Sequence, residues 1–169
     1  MSLVSKVEHP PPSKRKAAKE PGLAARGLRL LARREHTRRE LAAKLAPHVE
    51  DPAELEALLD GFAARGWLCE SRVVEQVLHT KRERFGPARI RQALLQRGVS
   101  DALIAPALQS LRAGELEAAR ALWARKFRVK PSSAADQARQ VRFLQSRGFS
   151  LGVALRVVGG RGRSEDEGA

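Results

Sequence analysis

The chain has 169 residues, room for one ordinary domain or a few small repeats. Hydrophobic residues make up 43% but aromatics only 4%, and tyrosine is absent, so a core must be built from Leu, Ala and Val, which favours helix over sheet. Lys and Arg total 32 against 19 acids, a formal charge of +13, and such a chain seeks polyanions.

Residues 1–22 combine Pro10, Pro11 and Pro12 with Lys14, Arg15, Lys16 and Lys19. This stretch cannot bury a core and is expected to be a disordered basic tail. The folded part begins near Leu23. Leu28 and Leu31, with Ala24 and Ala32, predict a first helix that stops near Glu35 and carries Arg26, Arg29 and Arg33 on its other side. Thr37-x-x-Glu40 is a capping box that opens a second helix through Leu41 and Leu45, closed by Pro47. Asp51-Pro52, followed by Glu54 and Glu56, places a cap, a first-turn proline and acids where the helix dipole favours them. The third helix then runs through Leu55, Leu58, Leu59 and Phe62 to Gly66. Trp67 and Leu68 form a hydrophobic link, and Val73, Val74, Val77 and Leu78 predict a fourth helix ending in Lys-Arg-Glu-Arg before Phe85.

Arg84 to Leu108 reads as a helical hairpin with one apolar and one cationic side. Gly86-Pro87 opens it, Ile90, Leu94 and Leu95 form the stripe, and Gly98 ends the first helix in a Schellman motif with Val99 behind it. Ser100 is expected to cap the next helix, with Ala102, Leu103, Ala105 and Leu108 along it. A seventh helix is predicted over 115–127, with Leu116, Ala119, Leu122, Trp123 and Phe127 inward. Ser133-x-x-Asp136 caps an eighth with Ala138, Val141, Phe143 and Leu144, and Ser150 opens a ninth, through Val153, Ala154, Val157 and Val158, that ends at Gly159-Gly160. Residues 161–169 end in Glu165, Asp166 and Glu167 and are expected to be a loose tail.

Arg97-Gly98-Val99-Ser100 and Arg147-Gly148-Phe149-Ser150 match at a separation of 50, and Leu45 lies 49 residues before Leu94. Nine helices therefore fall into three sets of three. One such unit is marginal alone, so neighbours pack together. The expected fold is all-α: three tandem three-helix repeats, at 23–68, 69–114 and 115–160, forming an elongated, curved array.

Four segments in this order and spacing resemble the RecX family of bacterial recombination regulators: R-R-E-L-A-A-K-L (38–45), G-W-L-C-E-S-R-V-V (66–74), F-G-P-A-R-I-R-Q-A-L-L-Q-R-G-V (85–99) and F-L-Q-S-R-G-F-S (143–150). Cys69-Glu70 and Val73 depart from the acidic or Asn-Asp pair and the aromatic usual in that family, and Ala154 stands where a larger aliphatic is typical. The resemblance implies a regulator that binds the RecA filament on single-stranded DNA, lies along its groove and suppresses ATP hydrolysis and strand exchange, with no catalytic residues and no cofactor.

The residues themselves offer no enzymatic constellation. His9, His36, His48 and His79 are scattered, no phosphate-cradling glycine loop occurs, and the lone Cys69 reads as a small buried hydrophobe. A secretory h-region and a run long enough to span a membrane are both missing, so a cytoplasmic location is expected, and a monomer is preferred with the oligomeric state left open. The candidates for filament or DNA contact are cationic: Arg26, Arg29, Arg33 and Arg38, with Arg39 beside them; Arg82, Arg84, Arg89, Arg91 and Arg97; and Arg139, Arg142 and Arg147. Acids are sparse along the central stretch, where only Glu83 lies between Lys81 and Arg97. Few aromatics means no base-stacking surface and no sequence preference. Two other readings are a helix-turn-helix regulator built on the Gly98 hairpin, and a nonspecific DNA-binding protein acting without RecA.

Overall fold

The computed structural model describes residues 21–160, so the two tails expected from the sequence lie outside the described residues apart from Pro21 and Gly22. Among the described residues there are nine α-helices and no strand: α1 Leu23–Leu31, α2 Arg38–Leu45, α3 Pro52–Ala64, α4 Glu70–Lys81, α5 Pro87–Arg97, α6 Asp101–Ala113, α7 Glu115–Phe127, α8 Ala134–Ser146 and α9 Leu151–Gly159. Three separate apolar clusters form the core. Leu41, Leu45, Leu55, Leu59, Phe62 and Leu68 make the first. Val73, Val74, Val77, Ile90, Leu94, Val99, Ile104 and Leu108 make the second. The third contains Ala119, Leu122, Val141, Leu144, Phe149, Ala154, Val157 and Val158. Each cluster is closed by three consecutive helices, so the fold is an all-α repeat array.

Local chemistry accounts for the boundaries. The Thr37 hydroxyl accepts from the Glu40 N–H, and the Glu40 carboxylate accepts from the Thr37 N–H. Asp51 caps α3 through the Ala53 N–H ahead of Pro52, and Ser133 caps α8 through the Asp136 N–H. At α5 the Val99 N–H returns to the Leu94 carbonyl (3.1 Å) and the Gly98 N–H to Leu95 (2.9 Å), the paired bonds of a Schellman motif. Phe149 to Leu144 (3.2 Å) and Gly148 to Gln145 (2.9 Å) repeat the pattern at α8. Repeat one lacks it: Pro47 replaces the glycine joint with a short 3-10 turn, Ala46–His48.

Several details differ from the sequence expectation. Helix α1 ends at Leu31, a turn before Glu35, and Leu28 points outward while Leu23, Leu30 and Leu31 face the core. The buried position between them is Gly27, where a Cβ would come within 2.5 Å of the Phe62 ring; the pattern counted leucines and missed a core contact made by having no side chain. Ser100 makes no side-chain cap; its carbonyl instead accepts from Leu103 and Ile104. In α6 the alanines Ala102 and Ala105 are exposed, and Ile104 with Leu108 enters the core because the larger side chains bury more apolar area. Cys69 is not buried: it is the half-exposed residue before α4, its Sγ 3.0 Å from the Ser71 hydroxyl.

The units are joined end to end through their middle helices. The last carbonyls of α8 face the first N–H groups of α5: the Gly86 N–H donates to Arg147 (2.9 Å) and the Ala88 N–H to Gly148 (3.2 Å). The last carbonyls of α5 face the start of α2, where the Thr37 hydroxyl donates to Arg97 (2.6 Å). Helix ends carry orphan donors and acceptors and opposite partial charges, so this stacking satisfies both ends at once. The approach requires glycine. A Cβ on Gly86 would overlap the Gly148 carbonyl, and one on Gly148 would lie 2.5 Å from the Arg89 nitrogen.

Substitution by alanine separates backbone strain from joint packing. Gly66 (φ +69°) has open space around it, so Gly66→Ala should cost about 1–2 kcal/mol from the left-handed backbone alone. Gly148 (φ +89°) adds the overlap with Arg89, so Gly148→Ala should lose a further ~1–3 kcal/mol in urea denaturation. Equal losses would mean that the joint yields without cost.

Candidate functional site

The two joints occupy the same place in successive repeats and carry different charge. At the first, Arg97 at the end of α5 grips Glu40, the third residue of α2, with both Nε–Oε1 and Nη2–Oε2 at 3.0 Å. A further Nη2 bond reaches the Glu35 carbonyl at 2.7 Å. Arg34 pairs with the same carboxylate (3.2 Å), and Arg72 ties the Glu35 carboxylate to the start of α4 (2.9 Å). Arg97 and Glu40 keep under a fifth of their side-chain surface exposed. The Glu40 carboxyl is raised by burial, but hydrogen bonds from Arg97, Arg34 and the Thr37 N–H outweigh this and hold its pKa at about 2, against an ordinary 4.5. His36 is buried beside this network, its Nδ1–H donating to the Arg34 carbonyl (2.9 Å), and burial lowers its pKa.

At the second joint the same positions are cationic. The third residue of α5 is Arg89 where α2 has Glu40, and the residue at the end of α8 is Arg147 where α5 has Arg97. Phe85 takes the place of His36. Four cations surround its half-buried ring: Lys81 at 5.4 Å from the centroid, Arg147 at 5.6 Å, Arg89 at 5.8 Å and Arg84 at 5.9 Å. Arg147 also lies 5.3 Å from the Phe143 ring, which meets Phe127 edge-on. The ring quadrupole holds the cations near one another. None of the four forms an ion pair among the described residues, and Arg125 nearby donates to the Glu83 carbonyl (2.7 Å) and adds to the local charge.

The other sequence candidates sort clearly. Arg97 is spent inside the first joint. Arg38 pairs with Glu56 and Asp60, Arg91 with Asp101 (3.0 Å), and Arg139 with Asp136. Arg26 donates to the Pro21 carbonyl (3.1 Å), and Arg39 reaches across to the carbonyls at the end of α5. Arg29, Arg33, Arg82 and Arg142 are exposed and unpaired among the described residues. Acids scarce in the local sequence are thus supplied from elsewhere in the chain for several of the arginines, and the uncompensated charge concentrates around Phe85. Sequence reading missed Lys81 and the ring itself, although Lys81, Arg84 and Arg89 fall at four before, one before and four after Phe85. It also missed Glu40 and Thr37 as joint residues, because a capping box accounts for both locally.

Two family models match, the second three-helix domain of RecX over residues 70–108 and the third over 113–158. The regulatory protein RecX of Leptothrix cholodnii is 54% identical over 136 residues, covering 80% of this chain and 87% of that protein. The chain belongs to the RecX family. The Ralstonia nicotianae RecX is 42% identical over 146 residues, 86% of this chain and 92% of that protein. The fold agrees with the crystal structure of RecX from Lactobacillus salivarius, at a TM-score of 0.70 and 18% identity over 82% of this chain and 93% of that one. A second RecX crystal structure gives 0.68 at 23% identity, over 82% of this chain and 72% of that one. The first match spans α4, α5 and most of α6, and the second runs from the last residue of α6 through α7 and α8 into α9. Among the described residues no helix is long and apolar enough to cross a membrane, and no three His, Cys, Asp or Glu side chains gather as a metal site.

The first joint has an acid signature. A carboxyl whose folded pKa is depressed stabilises the fold above its ordinary value of 4.5, and that contribution is lost as pH falls through about 2. Wild-type stability should therefore drop across this window, while Glu40→Gln, weaker at pH 7 by about 1–3 kcal/mol, shows a flatter profile. Parallel profiles in acid titration followed by circular dichroism would place Glu40 outside the joint.

Proposed function

We propose that this RecX-family chain is a non-catalytic regulator that binds the RecA filament on single-stranded DNA, restrains RecA ATP hydrolysis and strand exchange, and so modulates recombination and repair. The observation that carries the reading is the end-to-end array with unpaired cations in all three units: Arg29 and Arg33, then Arg82, Arg84 and Arg89, then Arg142 and Arg147. Such a body suits a long, repetitive, polyanionic partner. Its three functional units are taken as 23–68, 69–114 and 115–160, and it acts as a cytoplasmic monomer needing no cofactor.

Binding is independent of base sequence. In a helix-turn-helix reader the second helix of the hairpin displays polar side chains to base edges. Here α6 exposes Ala102, Ala105 and Pro106, and its Asp101 is held by Arg91; α9 exposes Leu151, Gly152 and Leu155. The first five residues of each helix, the part a recognition helix presents to base edges, carry no free hydrogen-bonding set; exposed Gln109, Ser110 and Arg112 lie in the second half of α6 and Arg156 in the second half of α9. That favours the filament reading over the helix-turn-helix one, and dependence on RecA separates it from nonspecific DNA binding.

The deciding test is RecA ATPase on single-stranded DNA. The protein should inhibit at stoichiometries well below one per RecA, and Arg82→Glu with Arg142→Glu should weaken inhibition about tenfold or more while helicity stays intact, since both side chains are free of internal pairs. Inhibition only at DNA-saturating concentrations would mean masking of DNA and contradict the reading.

A further inference from the structure

Each joint between repeats places an arginine from the end of one middle helix against the third residue of the next. At the first joint that residue is Glu40, and the arginine is neutralised from within the chain. At the second it is Arg89, so Arg147 faces a like charge, and Lys81 and Arg84 crowd the same ring. The backbone bonds that close this joint, Gly86 to Arg147 and Ala88 to Gly148, hold the cations together regardless of their repulsion. The arginine at the first joint is thus paired within the chain, whereas Lys81, Arg84, Arg89 and Arg147 at the second form no ion pair among the described residues.

We propose that the cluster of Lys81, Arg84, Arg89 and Arg147 around Phe85 is a phosphodiester-binding clamp that grips the backbone of single-stranded nucleic acid across the joint between the second and third repeats. The proposal rests on the reading given above and assigns one contact within it. A single carboxylate satisfies the fork of Arg97, as Glu40 does. Four cations within 5.9 Å of one ring centroid call for several adjacent negative charges, which a run of phosphates carries and one protein carboxylate does not. Three of the four are guanidinium groups, whose planar donors match phosphate oxygens in pairs. Because cations already gather around the ring, bases do not stack on it, and the grip is indifferent to sequence. Since Lys81, Arg84 and Arg89 belong to the second repeat and Arg147 to the third, bound phosphate also relieves the repulsion and locks the two units together.

Arg89→Glu tests this directly, because it rebuilds at the second joint the pair found at the first. The thermal midpoint at low salt should rise by about 2–4 °C, with an acid in the first turn also favoured by the helix dipole. Affinity for a short fluorescein-labelled oligothymidylate, measured by anisotropy without RecA, should fall about tenfold or more. Lys44→Gln with Arg112→Gln removes the same net charge at exposed positions far from the ring in sequence, and should weaken binding less than about threefold. Arg147→Gln, as a milder variant, should reduce the slope of log affinity against log salt by ~0.7. A fall in midpoint with Arg89→Glu, or equal weakening in the charge-matched control, overturns the clamp. Unchanged oligonucleotide affinity with lost inhibition of RecA ATPase would assign the cluster to a protein surface, overturning the clamp and leaving the filament reading intact. Lost oligonucleotide affinity with a wild-type protein that does not inhibit RecA would leave the clamp standing and remove the filament reading.

Discussion

The structure depends on helix ends meeting helix ends. An α-helix leaves its first N–H groups and last carbonyls without partners, and a three-helix unit of this size buries too little apolar surface to stand alone. Stacking α8 on α5 and α5 on α2 addresses both deficits, because donors of one unit meet acceptors of the next and the dipoles align head to tail. Everything else is arranged around that approach. Glycine at 86 and 148 lets the backbones come together, Pro87 opens α5 without an N–H to leave unpaired, and the Schellman turns at 98 and 148 send the chain onward without blocking the contact.

The same geometry then serves two electrical purposes. In the first joint the Thr37 hydroxyl accepts from the Glu40 N–H and donates to the Arg97 carbonyl, so a single buried oxygen links cap and joint. The Glu40 carboxylate collects Arg97, Arg34 and the Thr37 N–H, so the arginine at this joint is paired within the chain. In the second joint main-chain bonds do the holding, which frees the side chains from structural duty. Arginines that would destabilise a joint held by side chains are tolerated there, and with Lys81 they gather unpaired around the Phe85 ring.

Much of the fold was legible because its signals are local. Capping boxes, prolines at helix starts, glycines at helix ends and apolar stripes repeat every 3.6 residues, and the 50-residue recurrence of Arg-Gly-apolar-Ser exposed the array. What escaped was non-local or rested on absence. Gly27 is a core position by virtue of lacking a side chain, which no hydrophobicity pattern records. Arg97 looked like a surface cation because its acid lies 57 residues away in the preceding repeat. Arg91 and Arg38 found acids on neighbouring helices in the same way. The charge pattern identified the chain as polyanion-seeking but could not sort structural arginines from available ones, since that sorting is done by tertiary contact.

The central claim is that the second and third repeats are coupled by main-chain bonds between helix ends, and amide hydrogen exchange at Gly86 and Ala88 tests it most directly. First-turn amides of an ordinary helix have no acceptor and exchange quickly, whereas here they donate to Arg147 and Gly148. Protection at both amides comparable to that of the buried helices is the expected result. Exchange at the rate of an unpaired first turn would contradict the end-to-end joint, and with it the gathering of cations around Phe85.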